Sequence, residues 1–252
     1  MKGKKILVAN WKMHPPTLAE AKRLFERVKK GAARRTVTLI VCPPFIYLNE
    51  LRGTSKVALG AQNVFFEGDG AHTGEIDPSM LKNLGAKYVI IGHSERRALG
   101  EDFPLIQRKT AGALEAGLRV ILCIGERERD HEANYLAFLS EELRSALTGI
   151  SPKQLKNLII AYEPIWAIGK NAEQAMKPEE VHEMVIYVRK ILSELFNRKV
   201  AEKVPVLYGG SVEHDNIERL LRIGAADGFL VGHASLDAKQ FVEMIQIVDE
   251  SR

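Results

Sequence analysis

Tyr88-Val89-Ile90-Ile91-Gly92-His93-Ser94-Glu95 is the stretch on which the fold turns. Four residues that suit a buried strand run without alternation, a glycine breaks the run, and polar residues follow. Such an unbroken run marks a strand covered on both faces, as a parallel sheet requires. Val120-Ile121-Leu122-Cys123-Ile124 reads the same way. Similar runs begin near Lys5, Val37, Val57, Lys87, Arg119, Asn157, Val204 and Asp227.

Helical periodicity follows each run. Leu18, Ala21, Leu24, Phe25 and Val28 make an i, i+3, i+4 stripe after the first strand, and Val181, Met184, Val185, Val188, Leu192 and Leu195 make one after the sixth. Pro104, Pro152 and Pro178 stand where first helical turns are expected. Strands alternating with helices imply βαβ units with right-handed crossovers. The 252 residues match the length of about 250 typical of an α/β closed (β/α)8 barrel, eight parallel strands ringed by helices. Residues 1–252 are therefore read as a single domain. An open doubly wound sheet that binds dinucleotides is disfavoured. Its first strand should lead into a glycine-rich turn, and here Asn10-Trp11-Lys12-Met13-His14 follows.

The net charge of +4 is mildly basic. Lys29-Lys30 and Arg34-Arg35 fall at helix ends and turns and read as a solvated face. No aromatic residues interleave with them, which argues against a nucleic-acid surface. A small positive surplus does favour an anionic ligand. Cys42 and Cys123 lie in apolar runs without metal-ligand spacing, so they read as buried reduced thiols. The apolar run after Lys4-Lys5 is too short for a secretory signal, and no run approaches the ~20 residues needed to span a bilayer. These features set the expectation of a soluble, cytoplasmic protein.

The residues just past the strands carry the chemistry. Asn10 and Lys12 follow the first, His93 and Glu95 the fourth, Glu163 the sixth, Ser211 the seventh and Gly232 the eighth. A barrel gathers these ends at one mouth. Taken singly, each has a structural reading: a salt-bridge glutamate, a satisfied histidine, a snorkelling lysine. Together they suggest proton transfer beside an anion, with Glu163 as base, Lys12 as fixed charge and His93 as donor or shuttle. Tyr208-Gly209-Gly210-Ser211-Val212 and Leu230-Val231-Gly232-His233-Ala234-Ser235 follow the last two strands, where barrel enzymes often hold phosphate. Two connections, 64–77 and 164–177, are too long for plain turns and point to functional loops.

These motifs, with Ala161-Tyr162-Glu163-Pro164-Ile165-Trp166-Ala167-Ile168-Gly169 and Thr73-Gly74-Glu75, resemble the triosephosphate isomerase family in order and placement along essentially the whole chain. The resemblance implies a TIM barrel that interconverts dihydroxyacetone phosphate and D-glyceraldehyde 3-phosphate through an enediolate. In that family a glutamate base works with a neutral histidine, the roles implied for Glu163 and His93. It further implies that Lys12 offsets the substrate's charge and that Asn10, Gly169, Ser211, Gly232 and His233 contact substrate. Glu95 is implied to steady Lys12, and Ile168 and Leu230 to keep the site dry under a lid at 164–177. Thr73, at the tip of the 64–77 loop, is the implied contact of a homodimer. No cofactor and no metal is expected, and neither nucleic acid nor membrane is an expected partner.

Two positions depart from the family pattern. His233 stands where a second glycine is usual, and Lys170-Asn171-Ala172 replaces the usual far hinge of the lid. Two other readings compete. A barrel isomerase for a larger sugar phosphate would need a wider mouth than Trp166 and Ile168 suggest. A barrel that had lost catalysis should lack Lys12, His93 or Glu163, and all three are present.

Overall fold

The computed structural model describes residues 4–33, 35–53, 56–68, 70–130, 132–169 and 175–251. Eight strands, β1 (Ile6–Asn10), β2 (Thr38–Cys42), β3 (Ala58–Ala61), β4 (Ala86–Ile91), β5 (Arg119–Ile124), β6 (Leu158–Tyr162), β7 (Val206–Tyr208) and β8 (Gly228–Val231), pair in sequence order. All pairings are parallel, and β8 closes on β1 with Ile6 opposite Gly228, so the sheet is a barrel without edges. One register shift interrupts it, between Leu59 and Gly60 where β3 meets β4.

The continuous apolar strands divide by parity. Ile6, Val8, Ile40, Ile90, Ile121, Ile159 and Leu207 form a core made of strand residues alone, the barrel's interior. Leu7, Leu39, Val89, Leu122 and Ile160 face the other way and join the helices in one larger core. Each such side chain fully buried is worth about 1.5–3 kcal/mol.

The helices are α1 (Leu18–Ala32), α2 (Phe45–Leu51), α3 (Pro78–Asn83), α4 (Ser94–Ala98), α5 (Phe103–Glu115), α6 (Asn134–Ala146), α7 (Pro178–Leu195), α8 (Arg198–Ala201), α9 (Ile217–Arg222) and α10 (Ala238–Glu250). Sequence explains their starts. Thr17, Asp77, Asp102 and Asp237 each accept backbone N–H groups at an N-cap, and Pro78 and Pro178 occupy first helical turns. Pro104 does so in α5 as expected. Pro152 does not. It precedes a short 3-10 turn at Gln154–Asn157, because the chain must enter β6 immediately afterwards.

The stripe on α1 buries Ala21, Leu24, Phe25 and Val28, but Leu18 is 36% exposed. It is the first residue of the helix, at the edge of the packed face. The expected ring of one helix per strand is fuller among the described residues. β4 is followed by both α4 and α5, and α8 is added after α7. In the basic cluster, Lys29 pairs with Glu26, and Arg35 with Asp249 and Glu250. Arg34 lies outside the described residues. No helix among the described residues is long and apolar enough to cross a membrane.

Candidate active site

The C-terminal ends of β1, β4, β6, β7 and β8 enclose a cleft of about 110 Å³. Asn10, Lys12, His93, Glu163, Ile168, Gly169, Ser211, Leu230, Gly232 and His233 all line it, with Gly209, Gly210, Val212, Glu213 and Ala234. Residues from opposite ends of the sequence thus meet because the strands are parallel and closed. Glu95 stands outside the cleft wall and holds Lys12, with Oε1 2.6 Å from Nζ. Thr73 is exposed on the 62–77 connection and does not enter its own chain's cleft.

His93 ends the run from β4 and caps α4. Its Nδ1 accepts the backbone N–H of Glu95 at 3.2 Å. A ring nitrogen that accepts carries no proton, so this bond assigns the proton of a neutral ring to Nε2. That nitrogen faces Glu163, 3.4 Å from Oε1. The other carboxylate oxygen of Glu163 accepts the Ser94 N–H at 3.2 Å. Both side chains are buried, a cost to a charge that these contacts offset.

Lys12 has a positive φ of 51°, uncommon outside glycine. Two side chains hold it there. Asn10 Oδ1 accepts the Lys12 N–H at 3.1 Å, and Gln62 Nε2 donates to the Lys12 carbonyl at 2.8 Å while also reaching Cys42. The ammonium is thereby aimed across the mouth, and Lys12 Cε stands 3.5 Å from where a side chain on Gly232 would begin.

The far side of the cleft is backbone-rich. A side chain on Gly209 would begin 2.9 Å from Cγ of Glu163, so a larger residue there would displace the Glu163 side chain. His233 is exposed and opens a 3-10 turn to Leu236, with Gly232 immediately before it. The backbone at the start of such a turn, beside a lysine, suits an anion.

The root of the connection after β6 is not irregular, as its length suggested. Ile165–Ala167 form a 3-10 turn. Glu126, just past β5, anchors that turn. Its Oε1 accepts from Tyr162 Oη at 2.7 Å, Trp166 Nε1 at 2.9 Å and Arg129 Nε at 3.0 Å, and its carbonyl accepts the Ile165 N–H. Ser211 Oγ donates to the Ala167 carbonyl at 2.8 Å. The altered hinge Lys170-Asn171-Ala172 lies outside the described residues.

Burial pushes the thiols of Cys42 and Cys123 up, and Glu163 raises Cys123 further, so neither is poised as a nucleophile. No group of three His, Cys, Asp or Glu among the described residues could hold a metal ion.

Gln62, Ser94, Glu126 and Arg129 were not among the sequence candidates. Gln62 and Glu126 obey the rule that found Lys12 and Glu163, since each is a polar residue just past a strand, whereas Asn10, expected beyond β1, is its last residue because it still pairs with Cys42 of β2. Ser94 lay inside the quoted histidine motif. Arg129 carried no signal, because its partners Glu126, Tyr162 and Glu180 lie on three separate segments, the loop after β5, the end of β6 and α7.

A closed (β/α)8 barrel with ionisable side chains collected at its C-terminal mouth defines a barrel enzyme. A family model described as triosephosphate isomerase matches residues 5–248. Curated proteins named triosephosphate isomerase are similar along nearly the full length. The one from Dictyoglomus turgidum is 39% identical over 96% of this chain and 99% of its own. That from Carboxydothermus hydrogenoformans is 40% identical over 96% and 98%, and one from Dehalococcoides mccartyi 43% over 95% and 94%. The chain belongs to the triosephosphate isomerase family.

Proposed function

We propose that this cleft interconverts dihydroxyacetone phosphate and D-glyceraldehyde 3-phosphate by proton transfer through an enediolate. Glu163 takes the carbon-bound proton next to the carbonyl. His93 donates from Nε2 to the carbonyl oxygen and moves protons between the two oxygens. The observation that carries this reading is the His93–Glu163 pair at 3.4 Å with Nδ1 already occupied by backbone. A base and an uncharged donor side by side suit abstraction next to a carbonyl.

Lys12, held by Glu95, offsets the negative charge that develops on the enediolate and the charge of the phosphate. Asn10 supports Lys12 and adds a hydrogen bond. Gly169, Ser211, Gly232 and His233 take the phosphate, and Ile168 and Leu230 exclude water that would otherwise promote loss of phosphate.

The working unit in this reading is a homodimer. Met13 is 89% and Ile46 77% exposed, large apolar side chains on the same end of the barrel as the cleft. Such surface argues for a partner, and a second copy of the chain offering Thr73 on the 64–77 loop fits it. The cytoplasm, where buried Cys42 and Cys123 stay reduced, is the proposed location.

A coupled assay of D-glyceraldehyde 3-phosphate conversion, with Glu163→Asp alongside, tests the reaction and the base together. Turnover that collapses in the variant is expected. No turnover in the folded parent would remove the reading.

A further inference from the structure

Beneath the acid–base pair lies a buried ion pair that no step above uses. Arg97, on α4, meets Glu142, on α6, and their side chains are 10% and 1% exposed. The guanidinium has two further partners. Its Nε donates to the Gly92 carbonyl at 2.6 Å and its Nη2 to the Cys123 carbonyl at 2.7 Å. Gly92 is the residue immediately before His93, and Cys123 belongs to β5. The free arm of Glu142 accepts the Gly125 N–H at 2.7 Å. Any side chain on Gly125 would collide with the backbone carbonyl oxygen of Glu163, so the two backbones are in contact. Glu163 in turn donates its N–H to Ile124, the neighbour of Gly125, at 2.8 Å.

We propose that Arg97 and Glu142 are positioning residues for the isomerisation, one fixing the backbone that carries His93 and the other the backbone against which Glu163 rests. The inference rests on the site reading given above. One planar fork bridges β4 to β5, and its carboxylate partner continues the link toward β6. The two reacting side chains are thus referenced to one rigid element instead of to separate loops. A buried pair of this kind adds little stability, because desolvation consumes most of the attraction. Fixing the distance between base and donor is a different matter, since a misplacement of about 1 Å costs roughly 100-fold in rate.

The test uses the full chain. Arg97→Lys keeps the charge but loses the fork, and Glu142→Gln keeps an acceptor for Gly125 but not the charge. In both, kcat is expected to fall about 10- to 100-fold, while KM and the inhibition constant of inorganic phosphate stay within about twofold. The His93 ring nitrogens should also shift in 15N spectra. The double variant Arg97→Met with Glu142→Leu removes the uncompensated charge, so it guards against a single variant that fails to fold. A folded double variant with kcat still depressed supports the proposal, and one with parental kcat overturns it. Glu163→Asp is run in parallel. An inactive parent, or a Glu163→Asp variant as fast as the parent, overturns the site reading and this inference with it. An active parent whose Glu163→Asp collapses while Arg97→Lys and Glu142→Gln run at full speed overturns this inference alone.

Discussion

Nε2 of His93 stands 3.4 Å from Oε1 of Glu163, and the opposite ring nitrogen is held by the Glu95 N–H. This orientation makes a prediction about His93 itself. His93→Gln offers a donor from a longer, unbraced side chain, so kcat should drop about 10²–10³-fold, as for loss of an oxyanion donor. KM should move far less. Steady-state kinetics in both directions check it, and a loss confined to KM would contradict the donor role.

Lys12 and Glu95 meet at 2.6 Å with 31% and 57% of their side chains exposed. An ion pair so open to water contributes about 0–1 kcal/mol to folding. Glu95→Gln should therefore leave the melting temperature nearly unchanged. Lys12→Met should also fold, yet bind inorganic phosphate at least about tenfold more weakly, a loss of ~1.4 kcal/mol or more. Inhibition by phosphate in the two variants separates the effects. Equal phosphate affinity in Lys12→Met and the parent would exclude Lys12 from the anion site.

Much of this site was legible because catalytic residues of a barrel stand at strand ends. His93, Glu163 and Lys12 each lie one or two residues beyond an apolar run, and the strand starts fell within two residues of those observed. Hydrophobic periodicity carries that information. It carries none about which polar side chains meet across loops. The anchoring of Trp166 by Glu126 joins the loop after β5 to the turn after β6. The Arg97–Glu142 pair spans α4 and α6, where each residue alone reads as a charge on a helix. Leu18 shows the converse limit, since periodicity continues past the point where the barrel stops covering the helix.

His233 is exposed on the anion side of the cleft, at the start of the turn that follows Gly232. We predict that the His233 side chain adds a polar contact to the anion, so His233→Gly should raise KM for substrate and leave kcat nearly unchanged. Steady-state kinetics of the two proteins make the comparison. An identical KM in His233→Gly would dispose of the idea.

Burial pushes the Glu142 carboxyl up to about 7, against the pull of the Arg97 guanidinium. Its folded value therefore lies above the ordinary 4.5, and the sign follows. The native state holds this proton more tightly than the unfolded chain, so the contribution is full below about 4.5 and is lost as pH rises through about 7. Relative to Glu142→Gln, the parent's stability should decline across that window by roughly 3 kcal/mol at most. Urea unfolding of both proteins at several pH values measures the slope. Parallel curves would mean that Glu142 titrates alike in the folded and unfolded chain.

The 64–77 loop is braced by its own chain before any partner arrives. Arg108 lies over the Phe66 ring at 3.6 Å and pairs with Glu67 at 2.5 Å, and Phe65 packs on His72 at 4.5 Å. The Phe65 N–H also bonds the Ile76 carbonyl across the base of the loop. Such a prong loses little conformational entropy on docking, which favours association through its tip. Thr73→Arg places a bulky charge at that tip without touching the bracing contacts. The variant should sediment as a monomer with parental circular dichroism, and its kcat should fall because the loop carrying Lys12 loses its neighbour. A dimer that persists in Thr73→Arg at micromolar concentration would move the interface elsewhere. A parent that is itself monomeric would leave Met13 and Ile46 uncovered and remove the dimer from the mechanism.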